Sequence, residues 1–287
     1  MSELTGASSL ALTIDVEAQA EALVESVSVP TEFLRIETQD GQIADNLEVT
    51  LELLAGCNTH ATFFFLGRIA KSRPDLVRRV AEGGHEIGCH ALEHRRIFGQ
   101  SRESFRHDLT EAKRLLEDAC GQPVIGFRAP DFSIGQKNLW AIDELRAAGF
   151  LYDSSIVPTG WHDVYGMRGT PHGLFRWPNG LVEFPLPVLR LLFGTLPIGG
   201  GGYFRVYPFW VTRVFFGRRG RSEIPTTFYA HPCEIGGIAP RLPGLSWPRR
   251  FRHYSGLSKG RRRMETLLHS VRFTTMSAVL RNEGFIT

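Results

Sequence analysis

Short apolar runs alternate with stretches of helical periodicity along most of the chain. Apolar side chains recur at helical spacing in four stretches, Leu47–Leu54, Pro74–Glu82, Ser104–Asp118 and Asn138–Ala148. Five apolar runs have the length of buried strands, and they cover Leu10–Val16, Ala61–Leu66, Glu86–Cys89, Val124–Phe127 and Thr226–Tyr229. The alternation predicts an α/β fold with a mostly parallel sheet, closed into a barrel.

Two regions depart from this alternation. Between Pro158 and Gly202 the chain is rich in Gly and Pro, which predicts a long irregular excursion that walls the substrate groove. After Pro240 the composition turns basic and aromatic before a final helical stretch from Gly260 to Leu280. We therefore predict a barrel over residues 1–240 and a basic helical extension, residues 241–287, packed on it.

Composition narrows the class of protein. The 287 residues are 43% hydrophobic, which is ordinary for an enzyme-sized globular body. The net charge of +3 is too near balance to indicate a nucleic-acid partner. No charged start followed by an apolar run lies near Met1, and no apolar run reaches the ~20 residues of a membrane span. These features predict a cytoplasmic protein without a signal peptide or transmembrane segment.

Four cysteines occur, and no two are spaced as C-x-x-C. With no export signal, reduced thiols are expected. Cys89 and Cys233 flank site histidines, and we interpret them as small packing side chains and not as ligands.

One carboxylate and two histidines follow predicted strands and form a candidate metal site. Glu17 follows the first strand, and His90 and His94 follow the third. Imidazoles four residues apart can face one cation, and this set leaves coordination positions open for water and substrate. The same set can hold iron in an oxygenase, but there the carboxylate usually lies close to one histidine in sequence. We therefore favour hydrolytic chemistry.

Proton transfer needs further groups. Asp15 lies two residues before Glu17, so that in extended chain both point to one side, and Asp15 is free to accept a proton. Arg128 is predicted to hold Asp15 in one orientation. Just past Pro130, the backbone N–H groups of Asp131 and Phe132 are candidates for stabilising an oxyanion.

His231 ends the last predicted strand and is the candidate general acid for a departing amine. Its tautomer can be fixed by Glu234 or by Asp153, and spacing does not choose between them. The other candidates, His60, His85 and His107, are interpreted as structural.

These residues carry a resemblance to the polysaccharide deacetylases of the carbohydrate esterase type, which share the chitooligosaccharide deacetylase homology domain. The likeness spans nearly the whole length. The matching motifs are Thr13–Glu17, Gly84–His90 through His94, Phe127–Pro130, Tyr152–Ser155 and Tyr229–Pro232. Gly200–Arg205 and Phe251–Tyr254 further resemble the subgroup encoded with exosortase-associated exopolysaccharide loci.

The resemblance implies a distorted barrel with about seven repeats and hydrolysis of the N-acetyl group of an amino sugar. It also implies one divalent ion, zinc first, with cobalt and nickel as alternatives. Carried over by residue, Asp15 becomes the base, Arg128 its orienting partner and His231 the acid. Glu17, His90 and His94 become the metal ligands.

Three positions depart from the family pattern. Val16 separates two acids that are adjacent aspartates in many members. Asp131 follows Pro130 where a neutral or aromatic residue is common, so its side chain is expected to point away or to bind a sugar hydroxyl. Cys233 replaces a frequent Trp, which predicts a pocket that admits a different acyl group.

Three functions follow from these features. The first is a metal-dependent N-deacetylase acting on an exopolysaccharide or its lipid-linked precursor, in peripheral contact with the inner face of the membrane. The basic cluster Arg249, Arg250, Arg252 and Arg261–Arg263 would attract a diphosphate headgroup or an acidic glycan. The alternatives are a hydrolase of another C–N bond, on a formyl sugar or a ureide ring, and a glycan-binding protein without turnover.

Overall fold

The structure is a computed structural model that describes residues 8–23, 29–160, 166–192 and 194–287. Its strands are β1 (Leu10–Val16), β2 (Thr62–Phe65), β3 (Glu86–Cys89), β4 (Gly126–Phe127), β5 (Tyr152–Asp153), β6 (Phe175–Arg176), β7 (Val182–Glu183), β8 (Val188–Leu191), β9 (Gly194–Pro197) and β10 (Thr226–Ala230). Its helices are α1 (Gln19–Leu23), α2 (Ile36–Gly56), α3 (Gly67–Ser72), α4 (Pro74–Glu82), α5 (Arg102–Cys120), α6 (Trp140–Ala147), α7 (Gly201–Val206), α8 (Phe209–Arg221), α9 (Pro232–Gly236), α10 (Trp247–Tyr254), α11 (Gly260–Ser270) and α12 (Met276–Asn282). No helix in the described ranges is long and apolar enough to cross a membrane.

The main sheet has eight strands in the order β10-β1-β2-β3-β4-β5-β7-β6. All neighbours from β10 to β7 are parallel, and β6 is antiparallel at one edge. Within the described residues β10 and β6 do not pair, so the sheet is a curled half-barrel. The predicted α/β fold with a mostly parallel sheet is confirmed, but the expected closure of the sheet into a barrel is corrected, because the two edge strands of the described residues are not paired. Because parallel strands end at one edge, their following loops meet there.

The predicted helices are present, with bounds that local chemistry explains. Ser101 caps α5 by accepting the N–H of Ser104 at 3.1 Å, and Gly121 ends the helix with φ +70°. Helix α2 begins eleven residues before its predicted start at Leu47. Its first turns are polar, but Asp40 is buried there and pairs with Arg68 at 2.9 Å. A tertiary ion pair therefore holds a helical segment that periodicity misses.

Two stretches differ from the prediction. The excursion between Pro158 and Gly202 contains β6 and β7 of the main sheet and the separate β8–β9 hairpin, so it is more regular than expected. The helix predicted from Gly260 to Leu280 is two helices, α11 and α12. The helix breaks because Thr274 pairs with β1. Its N–H donates to Leu10 O at 2.9 Å, and its carbonyl oxygen accepts the N–H of Leu12 at 3.0 Å.

The two faces of the sheet pack differently. Leu10, Leu12, Ile14 and Val16 on β1 enter the large core under the surrounding helices. Ala11, on the opposite face, packs in a smaller core with side chains of α12 and of four other residues, Phe64, Tyr152, Val182 and Phe184. Asp15 lies on that inner face, four residues along β1 from Ala11. The inner face is thus closed by α12 at one end and polar at the other, where the strands end.

Candidate active site

Glu17, His90 and His94 meet beyond the ends of β1 and β3. One ligand atom from each lies within 4.8 Å of the others, and all three residues are buried. The Oε2 atom of Glu17 is 2.7 Å from Nε2 of His94 and 3.5 Å from Nε2 of His90. Sequence positions far apart therefore converge on one point, as predicted.

The donor set fits a divalent cation. Nδ1 of His90 lies 2.7 Å from the carbonyl oxygen of Arg128. A carbonyl only accepts, so Nδ1 carries the proton and Nε2 presents its lone pair to the cluster. Oε2 of Glu17 is buried and has no hydrogen-bond partner, because its short approach to His94 lacks hydrogen-bond geometry. An orphaned carboxylate oxygen between two imidazole nitrogens matches the ligand set of a metal.

The electrostatics of the cluster favour positive charge. Burial alone raises the pKa of Glu17, but His94 and the close contacts of all three nearby histidines lower it well below its usual value. Burial alone lowers the pKa of His94, and the Glu17 carboxylate outweighs this and raises it to about 9. The buried carboxylate therefore holds a proton on its neighbour, at a point where a cation would compete for it.

Asp15, the candidate base, is held in one orientation by Arg128. Its Oδ1 accepts from Nη1 of Arg128 at 2.7 Å, and Thr13 Oγ1 accepts from the same nitrogen at 2.7 Å. Arg128 is fully buried, donates to Ser154 O and Oγ at 3.1 and 2.9 Å, and lies 4.4 Å from the Phe64 ring centroid. The guanidinium is therefore fixed from several sides. Its ion pair with Asp15 is buried and is not a surface salt bridge.

His231 follows β10 and faces the cluster from the other side. Its Nε2 is 3.2 Å from Oε1 of Glu17, and its Nδ1 is 3.1 Å from Oε2 of Glu234. Arg205 donates from Nε to the other Glu234 oxygen at 2.6 Å. Burial alone raises the pKa of Glu234, but Arg205 and His231 lower it to about 2. Glu234 is therefore the ionised partner of His231.

The sequence interpretation missed Arg205, although it singled out the Gly200–Arg205 motif. The glycines explain the motif, because Gly200 has φ +133° and a Cβ there would lie 1.8 Å from Tyr229 O. This close approach brings α7, and Arg205 on it, against the end of β10.

The position of Asp153 excludes it as the partner of His231, so this alternative is corrected. It ends β5, whereas His231 follows β10 at the far side of the sheet order. Asp153 Oδ1 accepts from Ser155 Oγ at 2.6 Å, and Ser155 Oγ accepts the Ala129 N–H at 2.8 Å. Asp153 also faces Glu183 across β5 and β7, and burial raises its pKa to about 6. It supports the turn after β4, and not the candidate acid.

The turn at Pro130–Phe132 supplies fewer free donors than predicted. Asp131 and Phe132 both have left-handed backbones, with φ of 52° and 51°. The Phe132 N–H donates to Ala129 O at 3.0 Å, whereas no described residue accepts the Asp131 N–H. The Asp131 carboxylate pairs with Nε of Arg96 at 2.7 Å. One oxyanion donor candidate therefore remains, and the extra negative charge is neutralised.

The thiols near the site are inert. Burial raises the pKa of Cys89 and of Cys233 to about 12, so neither thiol ionises near neutral pH. Cys233 lines the cavity over the cluster and adds a small apolar surface there.

One cavity of about 490 Å³ contains the cluster, Asp15 and His231. Its polar floor lies at the strand ends, and its wall is largely aromatic and aliphatic. The wall residues that matter below are Phe132, Tyr203, Val206, Tyr229 and Phe251. Such a shape, an apolar wall with a few convergent polar groups, is typical of a small-molecule or glycan site.

Two family models match the chain. Residues 34–151 match "Polysaccharide deacetylase", and this range contains His90, His94 and Arg128. Residues 154–281 match "Domain of unknown function (DUF3473)", which contains Arg205, His231 and Glu234.

Curated relatives are similar over part of the chain. A chitooligosaccharide deacetylase of Sinorhizobium fredii is 36% identical over 81 residues, 28% of this chain and 38% of that protein. A peptidoglycan-N-acetylglucosamine deacetylase of Bacillus cereus is 32% identical over 98 residues, 34% of this chain and 46% of that protein. The chain thus spans less than half the length of these relatives.

Solved structures share the fold. One is from Mycobacterium smegmatis, with a provisional assignment as a polysaccharide deacetylase, and has a TM-score of 0.65 at 19% identity, covering 98% of this chain and 92% of that one. Puue allantoinase has a TM-score of 0.60 at 13% identity, covering 96% and 91%. Residues 34–151 are therefore similar to polysaccharide deacetylases, and residues 154–281 are similar to the DUF3473 domain.

Proposed function

We propose that the protein is a metal-dependent hydrolase that removes N-acetyl groups from amino sugars of an exopolysaccharide or its lipid-linked precursor. The observation that carries the proposal is the meeting, on one cavity floor, of a two-histidine, one-carboxylate cluster with Asp15 and His231 on either flank. Amide hydrolysis needs an activated water, a base and an acid, and this floor provides a group for each.

Each side chain has a distinct task. Glu17, His90 and His94 would hold the cation, zinc in the first place, with cobalt or nickel as alternatives. When bound, such a cation polarises the acetyl carbonyl and acidifies a water molecule. Asp15, oriented by Arg128, accepts the proton of the attacking water.

The remaining groups act on the other side of the scissile bond. The Asp131 N–H donates to the developing oxyanion, as a rigid turn beside the reacting carbonyl can. His231, paired with Glu234, donates a proton to the departing amine. Acetate and the free amino sugar are the products.

The proposed substrate class rests on the named relatives and on two motifs at the cavity. The relatives named above are deacetylases of chitooligosaccharide and of peptidoglycan N-acetylglucosamine, so an N-acetylated glycan is the class we assign. The Gly200–Arg205 and Phe251–Tyr254 motifs, which resemble those of the exopolysaccharide subgroup, both contribute residues to this cavity. The four cysteines are unpaired thiols, which supports a reducing compartment such as the cytoplasm.

Acetate release from a panel of N-acetylated oligosaccharides and lipid-linked precursors tests the proposal. We expect Asp15→Asn to retain metal and to lower turnover about a thousandfold, because it removes the base. His94→Ala should lose both metal and turnover, whereas His107→Ala, at an exposed position, should lose neither. A fully active Asp15→Asn enzyme would refute the base. Release of formate, or opening of a ureide ring, without acetate would instead establish a different C–N hydrolase.

A further inference from the structure

Residues 184–264 differ from the rest of the chain in charge. They contain 14 of the 33 basic residues but only two of the 30 acidic ones, Glu223 and Glu234. Glu234 is buried against Arg205 and His231, so Glu223 is the only acid of this segment on the surface. The near-zero balance of the whole chain therefore conceals one strongly cationic region.

The same segment carries most of the exposed apolar surface. Of the 12 large hydrophobic side chains that are exposed among the described residues, all but Ile36 and Phe98 lie between residues 184 and 264. The largest exposed fractions are those of Leu192 (96%), Trp247 (76%) and Trp210 (66%). Isolated exposed apolar residues need no explanation, but their concentration in one segment does.

Four of these side chains belong to three neighbouring helices at the cavity, and we call them the mouth patch: Val206, Trp210, Trp247 and Phe251. Helix α7 packs against both α8 and α10. Val206 and Phe251 line the cavity itself, and Trp247 stacks on Phe251 with ring centroids 5.7 Å apart. The patch therefore borders the opening of the cavity.

An arginine follows each of the two exposed tryptophans of the mouth patch at the same spacing. Arg213 follows Trp210 by three residues on α8, and Arg250 follows Trp247 by three residues on α10. Each pair lies on the exposed side of its helix, one turn apart. Arg213 forms no ion pair with any residue in the described part of the chain. Tryptophan and arginine side by side are the pair favoured where hydrocarbon meets charged headgroups.

The β8–β9 hairpin adds a second apolar element. Its tip presents Leu191 and Leu192, with Arg190 immediately before them. The hairpin continues through Gly200 into α7, and so is joined directly to the cavity wall. A polyanionic glycan would bind the arginines, but it would gain little from contact with an exposed leucine at a hairpin tip.

We propose that the mouth patch and the hairpin tip dock this protein on an anionic phospholipid bilayer. Arginines supply attraction to the headgroups, and the aromatic and leucine side chains enter the interface without spanning it. If the proposed function holds, docking brings the cavity opening within reach of a substrate anchored in the bilayer. The docking itself does not depend on that function.

Sedimentation of the full chain with vesicles tests this proposal. We expect binding to vesicles of equal parts phosphatidylglycerol and phosphatidylcholine, weakening as salt is added, and much less binding to phosphatidylcholine alone. Leu192→Asp and Trp247→Asp should each reduce partition about tenfold, and Arg213→Gln about fivefold. Ile36→Asp, at an equally apolar site that is 53% exposed outside the segment, is the matched control and should bind like wild type.

Tryptophan quenching by brominated lipid locates the contact. Wild-type fluorescence should be quenched, and Trp210→Phe and Trp247→Phe should each remove part of the quenching, whereas Trp177→Phe, which packs against the core, should not. Unaltered thermal unfolding of each variant confirms that it is folded. Equal partition of Trp247→Asp, Leu192→Asp and Ile36→Asp would overturn the proposal. So would binding to soluble alginate without binding to vesicles, which would assign the surface to an acidic glycan.

Discussion

The chain of contacts behind His231 shows how single residues prepare the candidate acid. Glu234 Oε2 accepts the backbone N–H of His231 at 3.0 Å and lies 3.1 Å from its Nδ1. Arg205 binds the other oxygen and also donates to the carbonyls of His253 and Ser255, at 3.1 and 2.8 Å. A buried carboxylate needs such partners to stay ionised, so Arg205 acts on His231 through Glu234.

Substitution of Arg205 tests this positioning role. We expect Arg205→Met to lower kcat about 100-fold and Arg205→Lys about tenfold, with little change in KM, because partners of this kind are worth 10- to 100-fold and lysine restores only the charge. Acetate release at several substrate concentrations separates kcat from KM. Arg78→Met, on the exposed face of α4, is the control and should leave both unchanged. A wild-type kcat for Arg205→Met would remove Arg205 from the mechanism.

At the scale of elements, His85 links two strands of the sheet. It lies between α4 and β3, and its Nδ1 accepts the N–H of Ala61 just before β2 at 3.2 Å. Burial first, and then the neighbouring His60, lower the pKa of His85 from 6.5 to about 4. The interpretation of His85 as structural therefore has a physical basis, since only the neutral ring can accept this bond.

Acid should weaken the fold through His85. The unfolded chain binds the proton near pH 6.5 and the folded chain only near pH 4, so the contribution is complete above pH 6.5 and is lost as pH falls to about 4. Its size is on the order of 3 kcal/mol. Urea unfolding at pH 7 and pH 4 should show a smaller loss for His85→Asn, whose side-chain oxygen can accept the Ala61 N–H without titrating. His107→Asn, at an exposed position, should behave as wild type, and identical losses in all three proteins would contradict the assignment.

At the scale of the whole molecule, the cluster of Glu17, His90 and His94 joins distant parts of the sheet. Glu17 follows β1, and His90 and His94 follow β3, while His231 approaches from β10. A cation held there would bind the folded state more tightly than the unfolded chain, where Glu17 is far from the two histidines. Metal binding is therefore expected to add to the stability of the fold.

Thermal unfolding with and without added Zn²⁺ measures this coupling. At a free ion concentration of 100 Kd the gain should be about 2.7 kcal/mol, which corresponds to roughly 5 °C or more in Tm for a chain of this size. The shift should disappear in Glu17→Gln and persist in His107→Ala. A shift of equal size in Glu17→Gln would show that the ion binds elsewhere.

The sequence predicted those parts of the fold and site that local patterns encode. β1 and β3 have the predicted bounds because each is a short apolar run followed directly by polar site residues. The likeness to deacetylase motifs brought Asp15, Glu17, His90, His94, Arg128 and His231 into one hypothesis, and the structure places all six around one cavity or directly behind it. Their assigned roles stay predictions until the variants above are measured.

Other features depend on contacts between remote segments, and local patterns do not contain them. The choice of Glu234 over Asp153 follows from the strand order, which separates β5 from β10, and the role of Arg205 follows from the close packing of Gly200 on Tyr229. The break between α11 and α12 likewise exists because Thr274 pairs with β1. Periodicity and motif spacing thus determined the fold class and the chemical groups, since these depend on neighbours along the chain. Tertiary structure alone decided which charged groups pair, because pairing depends on distances between strands that only folding sets.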